Sequence, residues 1–135
     1  IGDNLVSEIN QGLLILVCAM ADDNDLNVER MAAKISKIRI FSDENGKMNR
    51  SILDIGGEAL IVSQFTLCAD ISKGKRPSYF NAASPQKAEK LYLDFIKKIE
   101  DLHLDVKTGK FGESMEVKIN NNGPVTIIIN SKDKL

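Results

Sequence analysis

The chain has 135 residues, 43% hydrophobic and 27% charged, with a formal net charge of -1. That length suffices for one domain with its own core, without disulfides or metals. The near-neutral balance argues against a protein that coats nucleic acid nonspecifically, yet leaves room for a local basic patch. No run reaches the roughly 18 apolar residues of a membrane span, and no charged-then-apolar leader precedes the first element. No membrane partner and a cytoplasmic location are therefore expected.

Leu13 to Ala19 is a continuous apolar run after Gly12, the pattern of a strand covered on both faces. Asp22 to Asp25 offers N-cap candidates for a helix whose buried stripe is Val28, Met31, Ala32, Ile35 and Ile38. Ile38 to Phe41 is rich in β-branched residues and reads as a strand. Asn45-Gly46 marks a hairpin turn, and Ile52 to Gly57 a loop bent at its two glycines. Ala59 to Cys68 is predicted as the central strand, and Lys73 to Pro77 as a basic loop.

Ser84-Pro85 predicts the start of a second helix, N-cap followed by proline at its first position. Ala88, Leu91, Tyr92, Phe95, Ile96 and Ile99 keep its apolar stripe until near Leu102. Leu104 to Lys107, Met115 to Ile119 and Val125 to Asn130 are strand candidates, the last two joined by a turn at Asn120 to Pro124. Two helices and six or seven strands make an α+β fold.

The one histidine, His103, falls at the end of the second helix, a helix-terminal position and not that of a base. Cys18 and Cys68 read as buried free thiols in strands. Neither a zinc site nor a Ser-His-Asp arrangement can be assembled from this inventory, so no metal and no cofactor are expected. An enzyme built from these residues works without a conventional side-chain base. On residue types alone, Ser63 to Leu67 is a buried strand and Asn122 to Thr126 a hairpin turn.

Taken together and in this order, Ser63-Gln64-Phe65-Thr66-Leu67 and Asn122-Gly123-Pro124-Val125-Thr126 resemble the two signature motifs of the D-aminoacyl-tRNA deacylases, which strip D-amino acids from tRNA. Thr108-Gly109-Lys110-Phe111-Gly112-Glu113-Ser114-Met115 resembles a third family segment, with Glu113 in place of the usual alanine. Lys73-Gly74-Lys75-Arg76-Pro77-Ser78-Tyr79 is similar to the family's basic loop. The likeness runs from about Gly2 to Asn130. Family members usually open with a further strand carrying Gln-Arg-Val, whose arginine helps to fix the Gly-Pro segment. No counterpart is present, so residues 1–135 are expected to form a single deacylase domain without that strand.

The resemblance implies an α+β fold with its sheets in a roll or barrel-like arrangement and two helices packed outside. It implies hydrolysis of the ester of D-aminoacyl-tRNA, with glycyl-tRNA cleaved as well because glycine has no side chain to reject. Ser63, Gln64, Phe65 and Thr66 would line the catalytic pocket, with amides near Phe65 and Thr66 facing the ester carbonyl. Thr66 would support and not attack, and a hydroxyl of the terminal ribose would take part. Gly123-Pro124, cis in the family, would enter the active site of a partner subunit in a homodimer and exclude L side chains. Phe111, Gly112 and Met115 would form the substrate pocket, and Lys73, Lys75 and Arg76 would bind tRNA phosphates. A non-catalytic RNA-binding module of the same fold is the alternative.

Overall fold

The computed structural model describes residues 1–135. In chain order the elements are β1 (Gly12–Val17), α1 (Asp25–Lys37), β2 (Phe41–Ser42), β3 (Met48–Arg50), β4 (Glu58–Ser63), a 3-10 helix (Phe65–Cys68), α2 (Pro85–Glu100) and β5 (Asp105–Thr108). A three-stranded sheet has the order β1-β4-β5, and both of its pairings are parallel. Parallel neighbours need a long crossover. The segment holding α1 supplies one, and the segment holding α2 the other.

Both helices begin where their caps dictate. Asn24, one of the polar residues ahead of α1, accepts from the amides of Leu26 and Asn27, while Asn27 Oδ1 accepts from the Asn24 amide. These bonds satisfy donors that a helix start leaves free. Ser84 Oγ accepts from the Lys87 amide, with Pro85 at the first helical position.

The two helices pack together, and their apolar stripes meet β4 in one core. Val28, Ala32 and Ile35 come from α1, Leu91, Phe95 and Ile99 from α2, and Ala59 and Ile61 from β4. Ile52, Ile61 and Ile99 are fully enclosed, and each such side chain stabilises the fold by about 1.5–3 kcal/mol.

Several expectations change. The first strand is not covered on both faces: Leu13, Ile15 and Val17 pack on the core, whereas Leu16 is 41% exposed. The strand expected at Ile38 to Phe41 shrinks to Phe41–Ser42, because Ile38 still caps α1 through its amide bond to the Lys34 carbonyl. The central strand ends at Ser63 and not Cys68. Its ladder partner β1 ends at Val17, and the last bond runs from the Gln64 amide to the Val17 carbonyl.

The largest difference lies beyond β5. Met115 to Ile119 and Val125 to Asn130 carry strand-like patterns, yet neither joins a sheet. From Ser114 to Ile129 the main chain makes no backbone–backbone hydrogen bond. A strand exists only against a neighbour, and none is present for these residues. The α+β class stands with two small open sheets. Closure into a roll or barrel is not seen.

Candidate active site

At the end of β4 a buried strand gives way to an exposed segment. Ile61 and Val62 are buried, Ser63 and Gln64 half-buried, and Phe65 and Thr66 exposed. Past Gln64 the chain coils into the 3-10 helix, closed by bonds from the Leu67 amide to the Gln64 carbonyl and from the Ala69 amide to the Thr66 carbonyl. This coiling leaves the amides of Phe65 and Thr66 with no acceptor anywhere in the chain. Two adjacent free donors at a rigid strand end can hold a carbonyl oxygen as it gains negative charge.

Thr66 has one side-chain hydrogen bond, its Oγ1 accepting from Gln64 Nε2. No imidazole, carboxylate or amine bonds to it, so nothing in the chain is placed to remove its proton. His103 lies exposed in the turn after α2, in a left-handed conformation with φ 64°. Its position at the helix end matches its spacing in the sequence.

Two contacts hold Phe65. Its carbonyl accepts from Cys18 Sγ at 3.5 Å, and its ring meets Tyr79 edge-on, with centroids 4.9 Å apart. Sequence reasoning missed both, since the parallel register that sets Cys18 beside Gln64 has no local signal. The two thiols are free and half-buried, and neither lies within a strand. Burial pushes the Cys18 thiol up to about 11, with the neighbouring Cys68 adding to the shift. A thiol so placed stays protonated at neutral pH and is no nucleophile.

The pocket candidates divide. Phe111 is half-buried against Tyr92, whose hydroxyl donates to the Ile61 carbonyl at 2.9 Å. Burial raises the Tyr92 phenol above its ordinary value. Met115 lies beside Gly109, and Val62 is close to the same glycine. Both side chains thus flank the last residues of β4. Gly112 is exposed with φ 78°, a conformation that suits glycine.

Lys73, Lys75 and Arg76 are exposed, and none enters an intramolecular ion pair. Their loop is pinched at its base, where Asp70 and Ser78 exchange amide–carbonyl bonds of 2.8 and 2.9 Å.

Gly123-Pro124 is a cis peptide at the tip of an exposed turn, with Gly123 at φ 136°. The turn is tied through Asn121, which accepts from the Val125 amide at 3.1 Å and donates to Thr126 Oγ1 at 3.0 Å. No hydrogen bond joins residues 121–126 to Ser63, Gln64, Phe65 or Thr66.

Free amides at a strand end can receive an ester carbonyl, and a basic loop with unpaired charges can meet phosphates. The family model described as D-Tyr-tRNA(Tyr) deacylase matches residues 1–130. The D-aminoacyl-tRNA deacylase of Clostridioides difficile (strain 630) is 49% identical over 131 residues, covering 97% of this chain and 88% of that protein. The D-aminoacyl-tRNA deacylase of Ruegeria pomeroyi is 51% identical over 123 residues, covering 91% and 85%.

Among solved structures, one titled c-Myc DNA Unwinding Element Binding Protein superposes with a TM-score of 0.87 at 38% identity, covering 93% of this chain and 86% of that one. A probable eukaryotic D-amino acid tRNA deacylase shares the fold at a TM-score of 0.65 and 15% identity, covering 78% and 77%. The chain belongs to the D-Tyr-tRNA(Tyr) deacylase family.

Proposed function

We infer that this protein hydrolyses the ester of D-aminoacyl-tRNA to a free D-amino acid and tRNA, a chiral proofreading step in translation. The observation that carries this reading, in a member of this family, is the pair of free amides at Phe65 and Thr66. They receive the ester carbonyl and stabilise its developing negative charge. The Phe65 ring walls the amino acid, while Ser63 and Gln64 shape the pocket floor. Thr66 supports and does not attack, since its hydroxyl is engaged with Gln64 and has no base. The ribose hydroxyl beside the ester takes part from the substrate side, and the protein supplies position. Phe111, Gly112 and Met115 form the pocket's flank, and Lys73, Lys75 and Arg76 meet phosphates of the acceptor end.

Residues 1–135 act as one deacylase domain within a homodimer. Leu16, Ile119, Ile127 and Ile128 are all exposed apolar residues, Ile128 at 94%, and the main chain from Ser114 to Ile129 lacks backbone partners. Apolar surface together with unpaired backbone favours a second copy, whose pairing would also close the open sheets into the roll-like arrangement. In that dimer Gly123-Pro124 reaches the partner's Phe65 region. Its main chain forms the wall that an L side chain would strike, and a D side chain or glycine would clear it. No helix is long and apolar enough to cross a membrane. The cytoplasm, where aminoacyl-tRNA is used, is the compartment this chemistry implies.

The direct test is deacylation of matched D- and L-tyrosyl-tRNA. Release of D-tyrosine with the L ester untouched is expected. Equal hydrolysis of both, or of neither, contradicts the reading.

A further inference from the structure

We infer that Tyr79 is a positioning residue, fixing the Phe65 ring and thereby joining the basic loop to the segment that holds the ester. The inference rests on the reading of Ser63 to Thr66 as that segment. Phe65 is 53% exposed, so the core does not set where its ring lies. Its ring instead pairs edge-on with Tyr79, interplanar angle 67°. Such edge-to-face pairs hold a defined geometry beyond simple burial.

Tyr79 itself is anchored on both sides. Immediately before it, the Asp70–Ser78 exchange closes the loop, and Asp70 Oδ1 also accepts from the Ser72 amide at 2.9 Å and from Ser72 Oγ. Just after it, the Tyr79 carbonyl accepts from the Ala82 amide, and the Ala83 amide donates to the Ala19 carbonyl at 3.0 Å. Tyr79 is therefore a fixed post between the loop bearing Lys73, Lys75 and Arg76 and the connection that follows β1. The Tyr79 hydroxyl makes no hydrogen bond within the chain, so the ring carries the contact. A phosphate engaged by the loop would firm this post, and through it the wall beside the free amides.

The test is steady-state deacylation of D-tyrosyl-tRNA by Tyr79→Phe and Tyr79→Leu. Tyr79→Phe should keep kcat within about twofold, whereas Tyr79→Leu should lower kcat roughly tenfold while KM moves by less than about threefold. Replacing Lys73, Lys75 and Arg76 by alanine should show the opposite split, raising KM. In a Phe65→Leu background, Tyr79→Leu should add little, because the partner ring is gone. An unchanged kcat in Tyr79→Leu overturns the assignment, and so does a change confined to KM. Loss of activity in Tyr79→Phe moves the role to the hydroxyl and equally overturns it. A folded parent that cleaves no D-tyrosyl-tRNA refutes the reading of the site, and the assignment falls with it.

Discussion

The stretch from Gly12 to Thr108 and the stretch from Gly109 to Leu135 carry equally clear patterns, yet only the first becomes regular structure. In the first, every element has its partner within the chain: β1 and β5 flank β4, and the helix stripes meet over Ile61 and Ile99. In the second, alternation at Met115 to Ile119 and Val125 to Asn130 finds no neighbour, and large apolar side chains stay in solvent. Periodicity states which face a segment buries and not where the covering surface comes from. The proposed dimer supplies that surface.

The comparison breaks most sharply at Gly12. Its main chain runs so close to β4 that a Cβ would collide with the Glu58 carbonyl. Gly12→Val should force the two strands apart and destabilise by about 4 kcal/mol or more, enough to abolish a cooperative thermal transition. A folded variant with a near-parental midpoint would mean that the β1–β4 pairing does not hold this region together.

Much of the first region was legible. Ser84-Pro85 marked the start of α2, and the stripe from Leu91 to Ile99 its buried face. The capping residue of α1 proved to be Asn24, one of four candidates. The end of β4 was not legible, because Phe65 to Cys68 has strand-forming composition and coils only where β1 stops providing a ladder. The candidate site residues stand out in the sequence as motifs, but the free amides depend on that coiling. Cys18 and Tyr79, which hold Phe65, come from positions 47 and 14 residues away and leave no local trace.

A smaller effect is expected at Thr66. Thr66→Ala should slow deacylation roughly tenfold, a loss of about 1.4 kcal/mol, and leave measurable turnover. A variant as inert as one lacking an essential nucleophile would restore covalent attack to this residue.

The mildest change in the isolated chain is expected in the second region. Ile128→Ser removes an exposed side chain, so it should alter the fold's stability by less than about 0.5 kcal/mol. It should nonetheless shift the sedimentation profile towards monomer at micromolar concentration. An unaltered profile would take Ile128 out of the subunit contact.

The central claim is that the second region completes its site on another copy of the chain. Co-expression of Phe65→Ala with Gly123→Ala tests it directly, each variant alone being expected to retain only a small residual activity. If Gly123 works in the partner's site, half of the mixed dimer's sites pair an intact Phe65 with an intact Gly123. The co-expressed material should then recover about one quarter of parental D-tyrosyl-tRNA deacylation for random pairing. Activity no greater than that of either variant alone would contradict the account.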